Sequence, residues 1–575
     1  MRAPSAPRSR LAIVCAAVGA VACNSSDSTA PHTFTFTRNP CLPSDTVRLA
    51  VAATLRLDCS NGGTTVTFAG GGASYLIVPE FATDQAPFQL VNYSVASGTL
   101  SPAAAANRMH AAAQLQGLRA RPLTAQRMAD RYLREQGTEL ARSGTLRTPA
   151  LRRQSLASMA APDTIHNFQV LSNFTSATFA TVTARLAYSG TNLLLYLDTL
   201  APSGFTPAQL QTFGSYFDQT LWPIDTAAFG KPSDIDQNGR IIMLMSKVVN
   251  ADTPAATCST QGFVAGFFNP EDFSGSSDPH SNQGEIFYSI VPDPNGVSSC
   301  AHTVDEVGFD VPAVFLHELQ HLISYSQHVV VGGGQPEASW LDEGMSIAAE
   351  ELGSLYYESR CPPPSCRTDP SQLFPDSAQG FVQSFLFDSY EFGLLPDTAS
   401  ITLESDDQPG DSWRGGAWLL VRWLVDQGGA GMYRQLELGP AGGVADIEQA
   451  TGRPFPALFA DFGLALYTDS LPGLPRTTAP AVDRFTSRNM RQLWARLFTT
   501  SGPSSDIPLP MPVQLFAVTG DTSTAVLYPG TVTYFRLDTP ASSAAVSVRF
   551  AAPGGAAFPA TLNPGMAVFR LPPGQ

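Results

Sequence analysis

The stretch AVFLHELQHLISYSQ, residues 313–327, places two of the chain's eight histidines four residues apart in a mostly apolar segment. In an α-helix, positions i and i+4 lie on the same face, so His317 and His321 can direct both imidazoles toward one point. Glu318 is rotated by about 100° from His317 and can address a water beside that point. Zinc accepts neutral imidazole nitrogens, and an open zinc site needs three protein ligands. The spacing therefore predicts a buried helix over residues 311–327 that carries two of three metal ligands.

The third ligand is expected from a later segment that packs beside this helix. Residues 339–346 have the sequence SWLDEGMS, whose apolar frame predicts the start of a buried helix. A buried carboxylate at this place needs a partner such as a metal ion, and both Asp342 and Glu343 are candidates. Glu350 lies two turns beyond Glu343. It is expected either to orient a metal ligand through a hydrogen bond or to lie on a solvated face.

HELQH followed by WLDEG resembles the gluzincin zinc metallopeptidases, and more narrowly the hyicolysin-like peptidases, over roughly residues 165–470. The resemblance implies that His317, His321 and Glu343 bind zinc, and it favours Glu343 over Asp342. It also implies that Glu318 is the general base of an endopeptidase. In such an enzyme zinc activates a water, and Glu318 takes its proton as the water attacks a peptide carbonyl.

One departure from this family concerns the donor that stabilises the oxyanion. A Tyr is expected just before the helix that begins near residue 415, but residues 412–414 are Ser-Trp-Arg. The donor therefore stays open, and the candidates are Tyr325, Tyr390, Tyr433 and Arg414. Two alternative functions also stay open. One is an envelope adhesion or binding lipoprotein with an inactive zincin domain, and the other is a zinc hydrolase of cell-wall amides.

Strand and helix patterns predict an α+β protein of several domains. Alternating apolar and polar residues favour two β-sandwich-like domains, a small one at 33–102 and a C-terminal one at 476–575. Between them, residues 161–475 form the metallopeptidase domain, which the resemblance implies is zincin-like. Residues 103–160 are rich in Ala and Arg, with ten arginines and three acidic residues between positions 108 and 153. This segment is expected to be a helical linker or a prosegment.

The N-terminus predicts export. Residues 1–22 contain a basic start, a short apolar run and small residues before Cys23, as in a bacterial lipoprotein signal peptide. The apolar run is shorter than the roughly 20 residues that a permanent membrane helix needs. We therefore expect lipidation at Cys23 and a polar tether at 23–32, with complete secretion as the alternative. Both outcomes place the protein outside the cytoplasm, in a bacterial cell envelope or secreted.

Six further cysteines agree with export, because an even number in an exported chain favours disulfide bonds. Pairing between neighbours along the chain predicts Cys41–Cys59, Cys258–Cys300 and Cys361–Cys366. The net charge of −15 argues against nucleic acid and against an anionic membrane surface as the main partner. We expect a polypeptide substrate, and contact with a membrane only through the N-terminal lipid.

Two weaker features complete the candidate sites. Asp234, Asp236 and Asn238 resemble the start of a calcium loop, although Met245 at position twelve excludes an EF-hand. They predict either a short calcium site or a turn in which the side chains bond to the backbone. The histidines near the motif, His280, His302 and His328, are expected to be surface or supporting residues rather than ligands.

Overall fold

A computed structural model describes residues 39–40, 46–59, 64–97, 124–146, 162–501 and 509–575. Short gaps interrupt these ranges at 87–88, 90, 362–365, 368–372, 404–407, 409, 440–441, 478, 517–521 and 543. The expected signal peptide and tether, with Cys23, lie outside the described residues. Cys41 and most of residues 103–160 also lie outside them.

Strands β1 to β6, numbered in chain order, are Asn39–Pro40, Thr46–Val47, Thr54–Asp58, Thr64–Phe68, Ser74–Phe81 and Val91–Ser97. Helix α1 is Ala125–Ser143, and strands β7 to β9 are Ile165–Asn173, Thr178–Ser189 and Leu193–Asp198. Helices α2 and α3 are Pro207–Tyr216 and Trp222–Ala228, separated by the π-helical segment Phe217–Leu221. Next come β10 at Ile241–Met245, α4 at Lys247–Ala251, α5 at Ala255–Gln261, β11 at Gly266–Phe268 and β12 at Ile286–Ser289.

Helices α6 to α13 are Val304–Tyr325, Ser339–Arg360, Gln383–Leu394, Ser412–Gly428, Gly431–Leu436, Val444–Thr451, Phe455–Thr468 and Met490–Ser501. A second π-helical segment, Ser326–Val331, directly follows α6. Strands β13 to β18 are Val513–Phe516, Thr522–Leu527, Thr531–Val532, Tyr534–Asp538, Val546–Ala551 and Pro564–Arg570. Short 3-10 turns lie at Pro270–Phe273, Asp376–Phe381, Ala481–Asp483, Pro553–Gly555 and Ala560–Leu562.

The two terminal β regions form one unit. One sheet has the order β1-β3-β18-β5-β16-β13, with β15 also paired to β5, and the second has the order β14-β6-β17-β4-β2. Each sheet therefore combines strands from both ends of the chain, and one buried core contains side chains from both sheets. The separate β domains expected at 33–102 and 476–575 are corrected accordingly. Each region supplies strands that cover the open edges of the other.

A six-stranded sheet in the middle of the chain has the order β11-β12-β10-β9-β8-β7. Strands β9, β10 and β12 are parallel, whereas β11 forms an edge and is antiparallel to β12. The sequences of β9 and β10, LLLYLD and IIMLM, are nearly continuous apolar runs, as strands buried on both faces require. Helix α6 packs against this sheet, where the rings of Phe315 and Phe287 meet edge to face at 5.4 Å.

Helix α6 starts earlier than the apolar pattern alone predicts. The hydroxyl of Thr303 accepts the backbone N–H of Glu306, and the carboxylate of Glu306 accepts the N–H of Thr303. This capping box satisfies two backbone donors that the helix would otherwise leave unpaired, and it fixes the start of α6. The first turn is thus held by polar contacts, and most residues from Val311 onward are buried.

Helices α7, α8 and α9 pack closely because glycines remove side chains at their contacts. A Cβ atom at Gly344 of α7 would lie 2.9 Å from the backbone of Ala417 in α9. A Cβ atom at Gly415 of α9 would lie 2.1 Å from the backbone of Asp388 in α8. Any larger residue would separate these helices. The close approach places the N-terminal turn of α9, with Arg414, beside α7.

The described residues confirm a mixed α+β fold with several sheets and a helical region, whereas the zincin-like arrangement stays a prediction. The disulfides Cys258–Cys300 and Cys361–Cys366 are present, with Cα atoms 6.0 and 6.1 Å apart. Cys59 is buried, and its pairing with Cys41 stays a prediction. Within the described ranges, no helix has both the length and the apolar character needed to cross a bilayer.

Candidate metal centre

Two consecutive turns of α6 present His317 and His321 to the same point. Their ring centroids are 4.8 Å apart, and the side chains lie in a buried part of the helix. The donor atoms of His317, Glu318 and His321 all lie within 4.8 Å of one another. This cluster is compatible with an HExxH metal site.

Glu343 faces both imidazoles from the first turns of α7. Its Oε2 lies 3.5 Å from His317 Nε2, and its Oε1 lies 3.7 Å from His321 Nε2. Asp342 has a different position, with Oδ2 2.8 Å from His321 Nδ1. Of the two neighbouring acids, Glu343 is therefore the one that both Nε2 atoms face.

The Nδ1 atoms of the two histidines lie against carboxylates. Asp342 occupies this position at His321, and Glu350 Oε1 lies 2.7 Å from His317 Nδ1. The hydroxyl of Ser384 donates to Glu350 Oε2 at 2.7 Å. A proton held on Nδ1 leaves Nε2 with its lone pair free for a metal. Glu350 is buried, so the structure supports an orienting role for this residue rather than a solvated one.

Glu318 contacts the edge strand of the central sheet, where its Oε2 accepts the N–H of Phe268 at 3.1 Å. Burial, and then the charge of Asp130, raise the pKa of the Glu318 carboxyl well above its usual value, although the Phe268 N–H opposes this shift. Burial, His321 and Arg414 lower the pKa of His317. A neutral imidazole is the form that binds a metal.

The residues at this point fit a zinc ion. Two imidazoles and one carboxylate form the donor set of an open zinc site. In addition, His321 Nε2 is buried and has no hydrogen-bond partner among the described residues. A buried polar atom without a partner costs about 1–3 kcal/mol, and a metal ion would remove that cost. The set that would hold the ion is His317, His321 and Glu343.

Helix α1, from the arginine-rich region, covers this centre. Arg134 of α1 contacts Glu343 Oε1, while Arg414 of α9 contacts Glu343 Oε2. The side chain of Gln126 bonds to the edge strand, since it accepts the N–H of Ala265 and donates to the carbonyl of Gly266, each at 3.2 Å. Sequence reasoning missed these contacts. The excess of arginines around α1 was the available signal that this segment would cover an acidic site.

Two cavities open beside Glu318, which lines both of them. A small one of about 70 Å³ lies under α1 and includes Arg134 and His321. A larger one of about 570 Å³ includes His317 and Arg414. Helix α1 borders both cavities, because Arg134 lines the small one and Gln126 lines the large one.

Among the four candidate oxyanion donors, Arg414 is the one that the structure places at the centre. Its Nη2 lies 3.2 Å from His317 Nε2, and its Nη1 lies 3.3 Å from Asp130. The hydroxyl of Tyr325 donates to a backbone carbonyl of α1 at 2.9 Å, and that of Tyr433 accepts a hydrogen bond from an arginine of α9 at 3.0 Å. Tyr390 is buried in α8 and lines neither cavity.

The segment with Asp234, Asp236 and Asn238 forms a turn. One side-chain oxygen of each residue accepts a backbone N–H two to five residues further on, at 2.6 to 3.0 Å. These bonds match the turn alternative. The carboxylates of Asp234 and Asp236 lie near Glu285, and the side-chain amide of Asn238 donates to Asp236 Oδ2 at 2.5 Å. Calcium binding stays a prediction without further support.

The three other histidines near the motif differ in burial. His280 is half-exposed, and His302 is buried near the Cys258–Cys300 disulfide. His328 is completely buried in the π-helical segment after α6. Of the two positions expected for these histidines, surface and supporting, the surface one applies to His280, whereas His302 and His328 are buried.

Comparison with known proteins supports the metallopeptidase class. No protein-family model matches the chain. Over 175 residues the chain is 27% identical to the neutral metalloprotease ShpI of Staphylococcus hyicus, and this match covers 29% of the chain and 36% of that protease. The chain thus spans about a third of the length of that relative. It has distant, partial homology to a neutral metalloprotease.

Proposed function

We propose that this protein is an exported zinc-dependent endopeptidase in which His317, His321 and Glu343 bind the metal and Glu318 is the general base. The observation that carries the proposal is the convergence of Glu343 on both Nε2 atoms, at 3.5 and 3.7 Å. The distant homology to a neutral metalloprotease supports the same class.

Bound zinc would supply Lewis acidity, which polarises a carbonyl and lowers the pKa of water. Glu318 then accepts the proton of the attacking water and delivers it to the leaving amine. Its raised pKa makes the Glu318 carboxylate a stronger acceptor for the proton of the water than an ordinary glutamate. The Phe268 N–H fixes the position of this carboxylate. Arg414 has permanently charged donors beside His317 and can bind the oxygen on which negative charge develops.

Helix α1 is, in this proposal, a prosegment helix rather than a passive linker. Arg134 competes with a cation for Glu343 Oε1, because both neutralise the same carboxylate. Gln126 occupies an N–H and a carbonyl at the edge strand β11, which an extended peptide would otherwise use. Removal of α1 from the cleft would free Glu343 Oε1 and the strand edge together, while Arg414 of α9 would still contact Oε2.

Export and a polypeptide substrate are part of the same proposal. The two disulfides favour an oxidising compartment outside the cytoplasm. Lipidation of Cys23 is proposed from the sequence alone.

The test is casein hydrolysis by the purified full chain, with and without a metal chelator. We expect chelator-sensitive hydrolysis that Glu318→Gln lowers by at least about a hundredfold, with zinc content unchanged. Asp305→Asn, an exposed position on the same helix, serves as the matched control and should retain activity. Equal hydrolysis by Glu318→Gln and the control would overturn the assignment of the base.

The two alternative functions give different results in the same experiment. An inactive binding protein would retain zinc and cleave nothing. A cell-wall amidase would release products from peptidoglycan but not from casein, so both substrates belong in the assay. A further variant, His317→Ala, removes one proposed metal ligand and should abolish both zinc binding and hydrolysis.

A further inference from the structure

A second cluster of buried ionisable side chains lies beyond the end of α6. It consists of His328 in the π-helical segment, Glu337 just before α7, and Asp446 in α11. Their fractional exposures are 0%, 7% and 2%. Their donor atoms all lie within 4.8 Å of one another. No role in the proposed hydrolysis uses these three residues.

The hydrogen bonding of this cluster is incomplete. Neither ring nitrogen of His328 has a hydrogen-bond partner among the described residues. The carboxyl groups of Glu337 and Asp446 can bond to each other only if one of them holds a proton. The other oxygen of Glu337, Oε1, accepts the N–H groups of Ala338 and Gly443 at 2.6 and 2.5 Å. These two bonds fix the carboxylate and direct its Oε2 toward His328.

The distances do not match direct hydrogen bonds. His328 Nε2 lies 3.8 Å from Glu337 Oε2 and 3.9 Å from Asp446 Oδ2, beyond the usual limit of about 3.2 Å. Two ligands held about 2.0–2.2 Å from one tetrahedral ion are roughly 3.4 Å apart. His328 Nε2 and each carboxylate oxygen therefore need to approach by roughly half an ångström to bind one ion.

We infer that His328, Glu337 and Asp446 form a second metal site, which binds a divalent first-row transition ion of the zinc type. A cation between two buried carboxylates removes their mutual repulsion. One imidazole and two carboxylates suit zinc, whereas calcium prefers an all-oxygen set. A proton shared by the two carboxylates would also reduce their repulsion, but it would leave both nitrogens of His328 without a partner.

This site has a structural role because of the segments that it joins. The connection at 332–338 links α6, which carries His317 and His321, to α7, which carries Glu343. An ion bound by His328 and Glu337 would hold the two ends of that connection together. Asp446 would attach both ends to α11. The second site would thus fix the position of one candidate ligand relative to the other two.

The metal content of the purified full chain tests this inference. After dialysis against metal-free buffer, mass spectrometry of the elements should give two equivalents of transition metal per chain. His328→Ala and Glu337→Gln should each lose one equivalent and keep the one that His321→Ala removes. His166→Ala, at a half-exposed histidine, is the matched control and should retain both.

The outcomes separate this site from the proposed hydrolytic centre. If His321→Ala leaves the content unchanged while His328→Ala lowers it, the second site stands and the zinc assignment of the first is wrong. If the metal content of His328→Ala and Glu337→Gln equals that of the wild type, the inference is overturned and the shared proton is favoured. Should neither variant fold, the His321→Ala protein decides, because an absence of bound metal in it also overturns the inference.

Discussion

Removal of the Glu350 carboxylate tests whether the contact behind His317 prepares this residue for a metal. Glu350 Oε1 lies 2.7 Å from His317 Nδ1, and both side chains are buried. Loss of such a partner typically lowers metal affinity about 10- to 100-fold, which corresponds to about 1.4–2.8 kcal/mol. We expect Glu350→Ala near the upper end of this range, because it also leaves the hydroxyl of Ser384 without its acceptor. Glu350→Gln keeps an acceptor oxygen without the charge and should lie near the lower end.

The assay is competition for zinc between the protein and a chromogenic chelator of known affinity. Glu358→Gln, on the same helix and partly exposed, controls for changes in α7 that do not reach the centre. Ser384→Ala removes only the hydrogen bond behind Glu350 and should weaken zinc binding less than Glu350→Ala. Circular dichroism checks that each variant is folded. A zinc affinity of folded Glu350→Ala within twofold of the wild type would refute the orienting role.

Three further results are expected. Arg134→Ala frees Glu343 from α1 and should raise both zinc affinity and casein hydrolysis by roughly 5- to 30-fold, the equivalent of 1–2 kcal/mol; unchanged or lower values would contradict the prosegment. Burial, and then Glu437, raise the pKa of Asp225 well above its usual value. The folded protein therefore loses stability as pH rises above the unfolded pKa of Asp225, about 4. Asp225→Asn should raise Tm more at pH 8 than at pH 5. Equal gains at the two pH values would count against this explanation. Loss of the Cys258–Cys300 disulfide should lower the unfolding free energy by about 2–4 kcal/mol, which chemical denaturation measures.

The candidate centre was predictable because its chemistry is local. His317 and His321 meet through the geometry of a single helix, and Glu350 lies two turns beyond Glu343 on another. The choice between Asp342 and Glu343 required the family resemblance, because adjacent residues of a buried helix start are equivalent in a hydrophobic pattern. In the structure they differ in direction. The Asp342 carboxylate lies against Nδ1 of His321, whereas the Glu343 carboxylate faces the Nε2 atoms of both histidines.

The errors have a different origin, since they concern contacts between distant parts of the chain. Periodicity identified strands at both termini, but no local signal shows that β5 pairs with both β16 and β18. The arginines of α1 were compatible with a linker or a prosegment, and they did not indicate that one of them reaches Glu343. His328 stayed open between a surface and a supporting position, because regular α-helical spacing would put it on the face of His321. The π-helical segment that begins at Ser326 changes that spacing and turns the residue elsewhere.

The proposed catalytic geometry depends on how α7 is held against α6 and α9. Gly344 sits in the motif with Glu343 and allows α9 to approach at backbone distance, so the same turn of α7 presents a metal ligand and admits Arg414. A second ion bound by His328 and Glu337 would restrain the residues just before α7. Substitution of Gly344 by Ala should therefore displace Glu343 even though it changes none of the ligands. The zinc affinity and the Tm of Gly344→Ala should therefore both fall, whereas Glu318→Gln should lower only the rate of hydrolysis.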